Sequence, residues 1–356
     1  TLNNFVDING FASNIIYSSP DSIKIELPRE LIPEYYISKF QKAKISLKVG
    51  LQSVTANKEL IIDWKSTWTK KKNFPGLARN LAVAFSLGDF GYFGTGINEQ
   101  SNTIEYLKDF WKYDPKNDTW SQITDFPGKA RASASSFTIG NLGYIGLGTE
   151  KLFWYTQKDD ETGHFKDCYA YDPSTNRWTN VEDFPGIGRY LSASFSKDSK
   201  GFVFTGRWGD DGPINSIRDT NEGWQYDPTS NNWTKIENFP VTSSQAVGFN
   251  SGNQGYIYHL DKLFQYVNNE WKILQTETPT LYTPVTFGIK GKIYYGLGSP
   301  YQTTLYEFNP ITLKTNYFYI DIYHKRGASV FVIDSKAYII GNFKDVWEFD
   351  PSKPDI

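Results

Sequence analysis

Small and aromatic residues alternate along three nearly identical stretches, "FPGLARNLAVAF" at 74–85, "FPGKARASASSF" at 126–137 and "FPGIGRYLSASF" at 184–195. An alternation of period two predicts a strand, and the Pro-Gly pair ahead of it predicts a turn. In the second copy three further segments follow: "LGYIGLG" (142–148), "DCYAYDP" (167–173) and "NRWTNVEDFPG" (176–186). All have strand chemistry. The Gly-rich run predicts strands crowded near an axis, Asp-Pro stops one strand and turns the chain, and a Trp stands five residues beyond that Pro. Each unit therefore reads as four strands.

The units recur. The third-strand words are "FWKYDP" (110–115), "CYAYDP" (168–173), "GWQYDP" (223–228), "LFQYVN" (263–268), "LYEFNP" (305–310) and "VWEFDP" (346–351), which makes six. Second-strand aromatics agree, at Tyr92, Tyr144, Phe202, Tyr256, Tyr294 and Tyr338. Fourth strands carry Trp120, Trp178, Trp233 and Trp271, with a degenerate copy at Thr315–Tyr319. The sixth unit has no fourth strand of its own, whereas "STWTKKKNFPG" (66–76) is a fourth strand with no unit before it. Pairing the two closes a ring and removes the open sheet edges of a linear array. The expected architecture is all-β: a six-bladed propeller over 64–356, closed by an N-terminal strand.

The repeats resemble the kelch family of β-propellers, through the Gly-rich second strand, the aromatic after it and the later Trp. The family's Gly-Gly pair is replaced here by "GTG", "GLG" and "TG". Residues 1–63 follow another pattern. "VDINGFASNIIYSSPDSIKIELPREL" and "KAKISLKVGLQSVTANKELIID" alternate like an antiparallel sandwich with turns at Asn9-Gly10, Pro20-Asp21 and Gly50. This segment resembles the later strands of an IPT/TIG domain, which implies an immunoglobulin-like fragment serving as a spacer.

Composition narrows the partners. Phe, Trp and Tyr make up 17% of the chain, enough to supply stacking surfaces for ligands as well as strands. A net charge of -2 gives no reason to expect nucleic acid or a membrane surface. The single cysteine, Cys168, excludes an internal disulfide and a cysteine zinc site. His164, His259 and His324 fall in separate units, and "GDDG" lacks the oxygen spacing of a calcium loop, so no metal or other cofactor is expected.

Function is expected at one mouth of the propeller. Arg79, Arg131, Arg189 and Arg326 stand where an outer strand hands over to the next inner strand, with Ser244 or Gln245 and a residue near Thr283 in the fourth and fifth units. Two readings of the arginines stay open: contact with carbonyls or carboxylates of a neighbouring blade, or contact with ligand. Long loops at Gly96–Asp109, Gly148–Asp167 and Gly206–Gly223 rise on the same side, while those of units four to six are short. The second holds Phe153, Trp154, Tyr155 and His164, and the third Arg207, Trp208, Asp210, Asp211, Asn215 and Arg218. Trp154, Tyr155 and Trp208 break the repeat and are the expected stacking residues.

No nucleophile elbow, P-loop or dinucleotide fingerprint occurs. The expected function is accordingly a non-enzymatic surface binding protein for an oligosaccharide or a peptide. The pairing of stem and propeller resembles outer-membrane lipoproteins of Gram-negative bacteria. That resemblance implies export, surface exposure, attachment through an N-terminal anchor outside this sequence, and service to a nutrient-uptake system. Two alternatives accompany it: a protein-interaction subunit of an outer-membrane assembly, or a sugar mutarotase or epimerase. The resemblance implies the enzymatic one through six-bladed kelch relatives acting on sialic acid, whose chemistry needs a carboxylate clamp and an acid or base near the anomeric carbon.

Overall fold

The computed structural model describes strands between Phe5 and Asp63 as backbone, and then residues 67–99, 104–152, 163–208, 218–275, 278–281, 284–297, 303–319, 327–341 and 344–353. Two compact units divide the chain, Thr1–Thr67 with Pro351–Ile356, and Trp68–Asp350. In the first, an antiparallel sheet runs in the order Ser22–Glu26, Phe11–Ser19, Phe5–Ile8, Ile45–Val49, Gln52–Thr55, and Phe40–Ala43 pairs with Leu60–Asp63.

The second unit is a six-bladed β-propeller. Blade one comprises Val83–Leu87, Phe90–Gly94, Phe110–Asp114 and Thr119–Ile123, and blade two Ser135–Ile139, Leu142–Gly146, Cys168–Asp172 and Arg177–Val181. The next three blades repeat this antiparallel order. In blade six, Ser329–Ile333, Lys336–Ile340 and Val346–Phe349 take Trp68–Lys71 as the outer strand, in the register Phe349↔Trp68 to Val346↔Lys71. The ring is closed as the orphan fourth strand required.

Burial follows from position within a blade. The inner strand of blade one buries Val83, Phe85 and Leu87 and leaves Ala84 and Ser86 half-buried, so its alternation is visible in the sequence. The second strand is covered by its two neighbours and by the adjoining blades, and its last four residues are buried in blades one to three. Outer strands expose most side chains but tuck in the Trp.

Contacts between blades repeat with the sequence. Second-strand aromatics meet third-strand aromatics of the next blade at 5.5 Å for Tyr92 and Tyr171, 5.5 Å for Tyr144 and Tyr226, and 5.4 Å for Phe202 and Tyr266. Tyr338 of blade six meets Tyr113 of blade one at 5.4 Å, so the aromatic girdle spans the closure. A polar latch accompanies it. Asn231, with φ of 49°, accepts from Tyr226 Oη at 2.7 Å and from the Glu182 N–H of the preceding blade at 3.0 Å. Asp118 and Asn176 take the same left-handed turn and the same kind of partners. The outer-strand tryptophans join in, since Trp178 and Trp233 donate to the Thr124 and Glu182 carbonyls of the preceding blade.

The "GY" word has a steric cause. A Cβ at Gly143 would clash with the ring edge of Phe85 from the preceding blade, and Gly91, Gly201 and Gly255 face the inner-strand Phe331, Phe137 and Phe195 in the same way. Gly143→Ala is expected to lower unfolding free energy by about 1–3 kcal/mol through overpacking, read from the urea midpoint. A midpoint equal to wild type would show that Phe85 is not the constraint.

Candidate functional site

Each of the first three blades begins with a buried arginine. Arg79 forks onto Asp109 at 2.7 and 2.6 Å, Arg131 forks onto Asp167 at 2.7 and 2.7 Å, and Arg189 reaches Glu222 at 2.6 Å. Their Nε atoms donate to the carbonyls of Leu77, Lys129 and Ile187, and Nη1 atoms to those of Thr95, Leu147 and Thr205. The Phe of each "FPG" lies against the guanidinium, at 4.9, 4.7 and 5.0 Å for Phe74, Phe126 and Phe184. A guanidinium gives up hydration more readily than an ammonium and matches a carboxylate fork, so this motif packs a charge inside a turn. The arginine side chains are 1%, 0% and 1% exposed and their acidic partners 24%, 27% and 28%, so the mouth meets the carboxylates rather than the guanidiniums.

These partners lower the titration of Asp109 and Glu222. Burial alone would raise Asp109, but hydrogen bonds and charge from Arg79 and a bond from Trp111 Nε1 bring it below the ordinary carboxylate range. Glu222 is likewise opposed by burial and is held by Lys235 and Arg189 at about 2. A carboxyl lowered in the folded state stabilises fully above its unfolded pKa, about 4.5, and loses that contribution as pH falls toward about 2. Glu222→Gln is therefore expected to be less stable than wild type at pH 6, with the gap narrowing between pH 5 and pH 3. A gap independent of pH would remove the ion pair as its cause.

The long loops are tied to the handover loops by one repeated frame. Asn80, Ala132 and Tyr190 bridge to Ile97, Thr149 and Arg207, and these bridge in turn to Tyr106, His164 and Asp219. Tyr106, His164 and Asp219 thus occupy matching places, each three residues before the acidic partner of the buried arginine. Ile97, Ala132, Leu152 and Tyr190 form an apolar cluster beneath the frame, flanked by Leu81, Ile104, Tyr106 and Leu191. Leu81, Ser133 and Leu191 all sit in the left-handed region, at φ of 54°, 51° and 55°. Ser133 N–H donates to the Leu81 carbonyl at 2.9 Å and Leu191 N–H to the Ser133 carbonyl at 3.3 Å. Unfavourable backbone of this kind persists where surrounding structure over-determines it, commonly beside functional sites.

Three different chemistries stand on this frame. Tyr106 Oη accepts from the Leu152 N–H at 2.9 Å. Asp219 accepts from Arg207 Nε and from Ser244 Oγ, both at 2.9 Å. His164 Nδ1 lies 2.9 Å from Thr149 Oγ1, with its ring 5.0 Å from that of Tyr190. Thr149 Oγ1 already accepts from Lys151 N–H at 2.8 Å and has the carbonyls of Lys151 and Gly163 at 2.9 and 3.0 Å to take its single proton. The hydroxyl is then left an acceptor toward the imidazole, so Nδ1 carries the proton and Nε2 the lone pair. Nε2 itself is buried, so the imidazole serves the frame as a strut between Thr149 and Tyr190.

An open cleft of about 530 Å³ lies on the same side of the propeller, lined by Tyr106, Lys108, Lys129, Ala130, Glu150 and Lys151. Lys129 pairs with Glu150 at 3.2 Å. Among the described residues no group of three His, Cys, Asp or Glu side chains is placed to hold a metal ion.

The expected site residues are divided by the structure. Arg79, Arg131 and Arg189 occupy equivalent places and all face carboxylates. In the fourth blade the equivalent position is Ser243, whose carbonyl accepts from Gly206 N–H as those of Arg131 and Arg189 do from Gly96 and Gly148, rather than Ser244 or Gln245. The handover loop of blade four is one residue shorter, which displaced the sequence register. Trp208 stands in the third loop, bonded through its N–H to the Arg218 carbonyl and covered on its ring by the Arg218 guanidinium at 4.9 Å. Arg326, Trp154, Tyr155 and Thr283 lie outside the described residues. The role of His164 as a fixed tautomer was missed, because its partner Thr149 lies across a loop. The lysine cleft was missed too, since its three lysines come from three loops and follow no repeat.

A kelch motif matches residues 96–127, spanning the long loop and outer half of blade one. This chain is a six-bladed β-propeller that carries a kelch motif. The chain is 26% identical over 208 residues to the N-acetylneuraminate epimerase of Shigella sonnei (strain Ss046), covering 51% of this chain and 54% of that protein. To the protein of the same name from Haemophilus influenzae (strain PittEE) it is 21% identical over 210 residues, covering 52% and 55%. The chain thus spans about half the length of the curated relatives it matches. The solved structure of YjhT superposes with a TM-score of 0.60 at 16% identity, over 78% of this chain and 95% of that one, which shows a shared fold. These relatives overturn the expectation of a non-enzymatic binding protein. No local motif holds an acid and base side by side, because Tyr106, His164 and Asp219 are brought to equivalent places on separate blades.

Proposed function

We propose that this protein is a sugar epimerase that interconverts the anomers of carboxylated sugars at the mouth formed by blades one to three. The similarity to proteins named N-acetylneuraminate epimerase carries the reading, and Asp219, whose side chain is 21% exposed on the frame, gives it a chemical means. In the proposed reaction the Asp219 carboxylate takes the proton of the anomeric hydroxyl and the bond from the anomeric carbon to the ring oxygen breaks. Its electron pair goes to the ring oxygen, which receives a proton, and the open keto form recloses on its other face by the reverse transfers. Nothing is oxidised or reduced, so the step calls only for acid and base groups.

The test is exchange NMR of N-acetylneuraminate. Faster exchange between its anomers with the protein than in matched buffer is expected, and an unchanged rate would refute the reading. We further propose that the strands between Phe5 and Asp63 form an IPT/TIG-like stem, which the two antiparallel sheets of that unit support. We also propose export to the outer-membrane surface beside a transporter or assembly partner, on the resemblance of stem and propeller to outer-membrane lipoproteins, to be checked by surface proteolysis of intact cells.

A further inference from the structure

We infer that the cleft between blades one and two is the anchor for the substrate's carboxylate, with Lys108, Lys129 and Lys151 as its charge. This rests on the acidic-sugar reading above and names the part of the mouth that recognises the acid. The buried arginines are poorly placed to bind an incoming acid, because each guanidinium is 0–1% exposed and already holds a carboxylate. The anion must find its cations elsewhere, and the cleft of about 530 Å³ has three lysines on its walls against one Glu150. Its volume is that of a small-molecule site.

The lysines come from both loop types that build the mouth. Lys108 and Lys151 lie on the long loops of blades one and two, and Lys129 on the handover loop between those blades. Lys108 and Lys129 are exposed, and the Lys129–Glu150 pair is 69% and 36% exposed, so an incoming carboxylate can compete for that ammonium at small desolvation cost. Tyr106 joins the cleft to the catalytic frame, since it lines one and occupies the place in the other that His164 takes on the next blade. An acid held here lies beside the frame that carries the proposed base.

The experiment is an NMR titration of the whole chain with two probes, N-acetylneuraminate and its uncharged carboxamide, at low and moderate salt. Wild type is expected to prefer the acid, and to lose the preference as salt rises. Lys108→Gln, Lys129→Gln and Lys151→Gln are each expected to weaken the acid about threefold, and the triple variant roughly thirtyfold, with the carboxamide unchanged. Lys→Arg at the same places should restore binding of the acid, which a folding defect would not allow. Equal affinity for acid and carboxamide in wild type, or an equal loss for both in the triple variant, would overturn the inference. Preference for the acid without faster anomer exchange would refute the epimerase reading and leave the cleft in place.

Discussion

Arg131→Ala is expected to lower the unfolding free energy by about 3–5 kcal/mol, the usual cost of removing one partner of a buried ion pair. The arginine side chain is wholly buried, its fork onto Asp167 is bidentate, and its plane is enclosed by Phe126 at 4.7 Å and Phe165 at 4.2 Å. Alanine leaves Asp167 facing a cavity, strips a donor from the Leu147 carbonyl and unpacks both rings. Arg131→Lys restores the charge but not the fork, and should recover only part of the loss. Arg177 on the exposed outer strand is the control, where alanine should cost less than about 0.5 kcal/mol. Urea unfolding of the three variants and of the Arg131→Ala, Asp167→Ala double variant tests this. A small loss for Arg131→Ala would contradict the scaffold role, as would additive losses in the double variant, since paired groups must couple.

The same residue shows what the sequence makes legible. "FPG..R" could be seen to recur, and with it the handover between blades, because turn chemistry and the period of two are local. Blade count and ring closure were equally legible, since the Trp68 strand had no unit before it and the last unit had no outer strand. The acid paired with each arginine was not, because it lies 30, 36 and 33 residues downstream across loops of unequal length. Sequence spacing cannot carry a register over such loops; only the closed frame does. The shift from Ser244 to Ser243 has the same origin in miniature, one residue lost from one turn. Of the mouth, the long loops could be located, but what they hold there could not.

Asp219→Asn is expected to slow anomer exchange by about 10²–10⁴-fold, the range for loss of a positioned general acid or base. The Asp219 side chain is 21% exposed and is held by Arg207 Nε and Ser244 Oγ, both at 2.9 Å. Asparagine fills the same space and keeps an oxygen acceptor, so the fold and binding of N-acetylneuraminate should persist while proton transfer does not. Ser244 is a positioning residue in the same account. Its hydroxyl donates to the carboxylate and fixes its plane. Ser244→Ala removes that donor, so exchange should slow about tenfold. Ser244→Thr keeps the hydroxyl and should restore the rate, a distinction that packing alone would not produce. If Asp219→Asn retains the wild-type rate, the proton carrier lies elsewhere on the frame, and Tyr106 is then the next group to change, since it occupies the equivalent place on the first blade.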